Sequence, residues 1–237
     1  MKNKIISIVS FVLCLNVIIT AQTPIITDPL TSNKVVSGEA TKKNEGGQFS
    51  AKGWQALKDG DYLRIELANA QGLEGKLEID ITDWDWEKSS SAGGQEKFHF
   101  LGMFSNPLGE LHKEGGGTDK DALWSLRGGM GEGKKPRFGN NFKLHLSAKG
   151  AERTTLTDYR EGVVTVPTDW QWNKPSYTFK VIWNNSQGKF KIYINNTFIY
   201  ETEWTKQVEP LKYIYIGKSF DFGTCVGPFF TNLKVYN

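Results

Sequence analysis

The stretch Tyr177-Thr178-Phe179-Lys180-Val181-Ile182-Trp183-Asn184-Asn185-Ser186-Gln187-Gly188-Lys189-Phe190-Lys191-Ile192-Tyr193-Ile194-Asn195-Asn196 decides the fold. Phe179, Val181 and Trp183 alternate with Lys180 and Ile182, and Phe190, Ile192 and Ile194 alternate with Lys191, Tyr193 and Asn195. A period of two puts each apolar set on one face of an extended strand, toward a core. Asn184 to Gly188 joins the two runs, and Asn195-Asn196 makes a second turn, because Asn tolerates positive φ. The unit reads as an antiparallel hairpin with one buried face.

The same alternation continues on either side. Leu63, Ile65 and Leu67 alternate with Arg64 and Glu66; Leu77, Ile79 and Ile81 with Glu78, Asp80 and Thr82. Phe98, Phe100 and Gly102 are set against Lys97, His99 and Leu101, and Phe142, Leu144 and Leu146 against Lys143, His145 and Ser147. Tyr213 to Ile216 and Phe229 to Tyr236 supply closing strands. Gly, Asn, Asp and Pro punctuate the runs, and short strands spaced in this way predict a sandwich or barrel. The expectation is an all-β protein, an antiparallel β-sandwich of jelly-roll type, forming a single domain over residues 22–237.

Composition agrees. The chain of 237 residues holds 14 Phe, 8 Trp, 8 Tyr and 25 Gly. That many aromatics offset the entropy cost of ordering, which excludes a disordered chain. Lys2-Asn3-Lys4 followed by the apolar run Ile5 to Ile19 and by Ala21 has the layout of a signal peptide over residues 1–21. The apolar run is short for a membrane span. The expected destination is therefore periplasmic or extracellular, with no membrane span after signal removal. Loss of Lys2 and Lys4 takes the net charge from +3 to +1, which argues against nucleic acid as a partner, since such binders carry a basic excess. Cys14 leaves with the signal, and Cys225 alone cannot form an internal disulfide; it reads as a buried structural thiol. His99, His112 and His145 lack zinc-type spacing.

The hairpin from Tyr177 to Asn196 resembles the concanavalin A-like lectin/glucanase superfamily, in particular its laminin-G-like and pentraxin-like branch. The strand ending in Val181-Ile182-Trp183, the glycine-led turn at Gly188 and the apolar strand running into Asn195-Asn196 carry the likeness. Tyr213-Ile214-Tyr215-Ile216-Gly217, the closing Gly227 to Asn237 and the early strand Leu73 to Ile81 extend it over about residues 49–237. Paired histidines common before the Val-x-Trp strand are replaced by Pro175-Ser176-Tyr177. The resemblance implies the sandwich fold and a glycan as partner. It leaves function open, because lectins, enzymes and adhesion modules share this architecture.

Four groups of residues are candidates for a site. The segment Glu78-Ile79-Asp80-Ile81-Thr82-Asp83 looks like the Glu-x-Asp-x-x-Glu motif of laminarinase-type glycosidases. That likeness would make Glu78 a nucleophile, Asp80 its orienting partner and Asp83 the proton donor; a retaining pair needs carboxyls about 5–5.5 Å apart. Solvated polar alternation on an outer strand face predicts the same residues. The second group is Trp84, Trp86, Trp124, Trp170 and Trp172, as ligand-binding plates beside strand ends. A flat indole matches the C–H face of a sugar ring while polar neighbours take the hydroxyls. Against that stands burial at the core edge, which is the reading for Trp54, Trp183 and Trp204. Third, His99, Arg127 and His145 stand opposite the apolar faces of their strands. If their strands share a sheet they converge with Glu78 and Tyr193, and a histidine base beside an arginine suits proton abstraction next to a uronate carboxylate. Fourth, Asp83, Asp85, Asp119 and Asp121 are oxygen donors for calcium; no other cofactor is expected. The expectation is non-catalytic binding of an oligo- or polysaccharide, with a glycoside hydrolase or polysaccharide lyase and a protein–protein adhesion module as the alternatives.

Overall fold

A computed structural model describes residues 22–71, 74–84, 90–91, 97–105, 122–130, 142–148, 154–155, 175–184, 186–203, 211–217 and 223–237. In chain order the strands are β1 Ile26–Asp28, β2 Ala40–Glu45, β3 Gln48–Ser50, β4 Gly53–Gln55, β5 Tyr62–Gln71 and β6 Glu74–Thr82. There follow β7 Ser90–Ser91, β8 Lys97–Phe104, β9 Ala122–Met130, β10 Phe142–Ala148, β11 Thr154–Thr155 and β12 Tyr177–Asn184. The last are β13 Lys189–Ile194, β14 Thr197–Glu203, β15 Leu211–Ile216, β16 Gly223–Val226 and β17 Phe229–Tyr236.

They form two sheets. One runs β14-β13-β12-β6-β17-β4-β3, with β1 on the free side of β17; the other runs β11-β10-β9-β8-β15-β5-β2, with β16 beside β8. The predicted hairpin lies within the first sheet. Phe179 stands opposite Ile194 on β13 and Ile79 on β6, and Val181 opposite Ile192 and Leu77. Asn195 and Asn196 take φ of 49° and 64° at the next turn, the left-handed pair that a two-residue hairpin demands.

The two inner faces meet in one core. Leu77, Ile79, Phe179, Val181, Phe190, Ile192 and Val235 from the first sheet face Leu63, Ile65, Leu126, Ile214 and Ile216 from the second. Aromatic rings bridge the layers: Phe100 lies edge-on to Phe179 at 5.2 Å between centroids. Trp54 closes one end; its Nε1 donates to Asn44 Oδ1 of the opposite sheet at 2.8 Å.

Strand β8 departs from simple alternation. The register shifts between His99 and Leu101, so that Phe100 is an extra residue and the following side chains change face. Leu101 and Met103 therefore join Phe100 in the core, where alternation predicts Leu101 on the wet side. Phe104 is carried to the opposite face, where it packs with Tyr213 and Tyr215.

Candidate functional site

Two of the five candidate tryptophans belong to the core, which corrects the expectation that they bind ligand. Trp84 follows Asp83, whose φ of 53° turns the chain at the end of β6. The turn sends the indole inward, 6.1 Å from Phe100 and 6.4 Å from Tyr177, with only 1% exposure. Trp124 alternates with Leu126 on β9 and is fully buried against Trp183 at 6.3 Å and Phe190 at 5.6 Å. The alternation of Trp124 and Leu126 with Ser125 and Arg127 carried that signal. Trp54 and Trp183 are buried as expected. Trp86, Trp170, Trp172 and Trp204 lie outside the described residues, as do Asp85, Asp119 and Asp121.

The carboxylates of β6 are engaged with neighbours. Asp80 Oδ1 accepts from Thr178 Oγ1 at 2.6 Å and its Oδ2 from Asn232 Nδ2 at 2.8 Å. Glu78 pairs with Lys76 at 3.2 Å and accepts from the Tyr236 hydroxyl at 3.2 Å. Asp83 lies beyond the strand, exposed and paired with Lys52 at 2.6 Å. Among the described residues no cluster of three His, Cys, Asp or Glu is gathered as metal ligands.

The third group is brought together by its backbone. His99 on β8 stands opposite Arg127 on β9, and Arg127 opposite His145 on β10. One register row thus runs across three strands of the second sheet, next to the core row Leu101–Leu126–Leu146. Successive residues of a strand take opposite faces, so the His99–Arg127–His145 row belongs to the outer face. Glu78 and Tyr193 do not join it; they sit on β6 and β13 of the other sheet, which corrects that convergence.

Sequence reading missed what adjoins this row. Tyr213 and Tyr215 of β15 alternate with the core residues Ile214 and Ile216. They form a second apolar cluster with Phe104, on the outside of the sandwich, with Tyr62 packed at its margin. Tyr215 lies 5.1 Å from Phe104 and 5.7 Å from Tyr62. The signal was the uniformly apolar Tyr213–Ile216, too hydrophobic for a strand with one wet face. Arg64 lies 5.7 Å and Lys212 5.5 Å from the centre of the Tyr213 ring. Both pair with Glu66, at 3.8 Å and 3.2 Å. The Tyr62 hydroxyl is raised above its ordinary pKa, first by burial and then by the Glu45 charge, with Arg64 opposing. Gly102 lies between Tyr215 and Ser125 in the intervening row, so the floor there carries no side chain. The outer face therefore carries a closed aromatic cluster, with Arg64 and Lys212 half-exposed at the Tyr213 ring, beside the His99–Arg127–His145 row.

No protein-family profile and no curated protein match the chain. Among solved structures, the binding domain of botulinum neurotoxin DC in complex with SialylT is similar over 90% of this chain, with a TM-score of 0.52 and 12% identity. The receptor-binding domain of botulinum neurotoxin type G gives a TM-score of 0.50 and 10% identity over 90% of this chain. This chain covers 47% of each of those two chains. A heptameric SAP-like pentraxin from Limulus polyphemus is similar over 83% of this chain and 75% of its own, at a TM-score of 0.46 and 10% identity. Two antiparallel sheets stacked on one aromatic core are the fold that this chain shares with those neurotoxin binding domains.

Proposed function

We propose that this chain is an exported carbohydrate-binding domain, its first 21 residues an export signal, with a ligand lying along the outer face of the second sheet. The observation that supports this reading is the half-exposed margin of Tyr62, Arg64, Glu66 and Lys212 on that face, fixed over the buried rings of Phe104, Tyr213 and Tyr215. An outer sheet face bathed in water is ordinarily polar. Here the buried rings hold Arg64, Glu66 and Tyr62 at their half-buried margin. A sugar, with C–H patches and hydroxyls on one ring, suits such a margin of one tyrosine edge and fixed polar groups. The neurotoxin binding domain that shares the fold holds SialylT.

A glycan panel titrated while intrinsic fluorescence is followed tests this. A saturable shift with at least one glycan, weakened by Arg64→Ala, is the expected result. No shift with any glycan, in protein shown to be folded by circular dichroism, overturns it.

The His99–Arg127–His145 row favours one other reading, eliminative cleavage of a uronate polymer. Arginine would neutralise the carboxylate, and a histidine would take the proton from the adjacent carbon as the bond to the leaving oxygen breaks. Rising absorbance in the ultraviolet band of unsaturated uronates is the expected signature, and a flat trace with acidic polysaccharides rejects it.

A further inference from the structure

Three neighbouring strands of the second sheet, β8 (Lys97–Phe104), β9 (Ala122–Met130) and β10 (Phe142–Ala148), contain no aspartate or glutamate. They contain five basic or titratable positions: Lys97, His99, Arg127, Lys143 and His145. The register gathers all five into two rows. Lys97 stands opposite Gly129 and Gly129 opposite Lys143; His99 stands opposite Arg127 and Arg127 opposite His145. Between these rows runs Phe98–Gly128–Leu144, so the two basic rows fall on the same outer face. The next row on that face is Gly102–Ser125–Ser147, made only of small residues. Rows two residues apart are separated by roughly 7 Å and three strands span roughly 10 Å.

The concentration is not a property of the whole surface. The chain's net charge is only +3. On the outer face of the other sheet, acids and bases alternate and pair, as Lys76 with Glu78 and Lys191 with Glu201 at 3.0 Å. On the second sheet, the acids beyond this patch are occupied already: Glu66 by Arg64 and Lys212, and Glu45 by Lys43. Among the described residues, the patch is thus a block of positive charge with no internal acid. Such a block is costly to keep unless an anion offsets it.

We infer that the ligand of this face is an anionic polysaccharide, whose carboxylate or sulfate groups meet the rows Lys97–Gly129–Lys143 and His99–Arg127–His145 while its backbone lies over the small-residue row beside them. This rests on the carbohydrate-binding reading and narrows it to acidic glycans. An arginine flanked by two histidines offers planar donors suited to carboxylate and sulfate oxygens.

The test is affinity electrophoresis of the folded protein in gels containing polygalacturonate, dextran sulfate or neutral dextran, over a series of salt concentrations. Retardation by one or both acidic polymers and none by dextran is expected, fading as salt passes about 0.15 M, where charges are screened beyond ~8 Å. Retention by polygalacturonate alone assigns carboxylates, and by dextran sulfate alone, sulfates. Arg127→Gln with Lys143→Gln should weaken retention about tenfold or more, the size of one or two lost charge-assisted contacts, while Lys191→Gln on the opposite sheet leaves it unchanged. Should the double variant not fold, Lys97→Gln alone replaces it, with a smaller loss expected. Three results overturn the inference: no retention by either acidic polymer, retention that the folded variants do not alter, or binding that salt does not touch. Binding confined to neutral glycans in the fluorescence panel would overturn it while leaving the carbohydrate-binding reading intact.

Discussion

Lys42 and Asp28 form an ion pair at 2.7 Å with both side chains shut off from solvent. It joins the two sheets at their margin, since β2 edges the second sheet and β1 pairs with β17 of the first. The same ammonium donates to the Ser32 carbonyl at 2.7 Å, and Asp28 Oδ1 also accepts from the Leu30 amide at 2.7 Å. That last bond holds Leu30 at a φ of 57°, where a branched side chain is strained without support. Removing one partner strands the other charge in a dry site, which costs about 3–5 kcal/mol. Lys42→Met is therefore expected to lower the urea stability by that amount, and Lys42→Met with Asp28→Leu to recover part of it. A single variant that unfolds at the same urea concentration as the parent protein would show the pair to be idle.

Trp84 and Trp124 give a prediction that separates core from binding surface. Each indole is enclosed by aromatic neighbours, and truncating a buried aromatic costs about 3–5 kcal/mol. Trp124→Phe keeps most of the volume and should cost less than Trp124→Ala, with glycan affinity unchanged in the folded variant. Loss of affinity by Trp124→Phe at near-parent stability would return this residue to the ligand.

The sheet hairpin was legible because its information is local. Alternation fixes the face of Phe179, Val181 and Trp183, and the Asn195-Asn196 pair fixes the turn. Trp84 was not legible, because one residue at positive φ, Asp83, breaks the count that assigns faces. The extra residue Phe100 does the same for Leu101 and Phe104. The His99–Arg127–His145 row depends on the register between three successive strands joined by long connections. Packing sets that register, and no local pattern announces it. Lys42 was hidden for a related reason: a charged residue on a core-facing position reads as a break in the pattern until its partner Asp28 is in place.

Cys225 stands on the short strand β16, 1% exposed. Burial alone pushes its thiol far above the ordinary range, so the nucleophilic thiolate is scarce at neutral pH. A chromogenic disulfide reagent should leave Cys225 of the native protein unmodified and react with it once guanidinium unfolds the chain. Rapid reaction of the native protein would place Cys225 in contact with solvent.

Tyr62 and Tyr236 couple stability to alkaline pH. Burial raises both hydroxyls above 10.0, aided at Tyr62 by Glu45 and at Tyr236 by the charge and hydrogen bond of Glu78. A group whose pKa is higher in the folded state than in the unfolded one binds its proton more tightly when folded. Its contribution is present in full below the unfolded value, near 10.0, and is lost as pH rises through the folded value. Thermal unfolding should therefore hold steady from neutral pH to about 9 and fall above about 10, with phenolate absorbance appearing later in the native protein than in the unfolded one. Tyr62→Phe and Tyr236→Phe, which cannot ionise, should each flatten the alkaline fall. If both variants lose stability with the same slope as the parent protein, the drop belongs to other groups and the two hydroxyls are not its source.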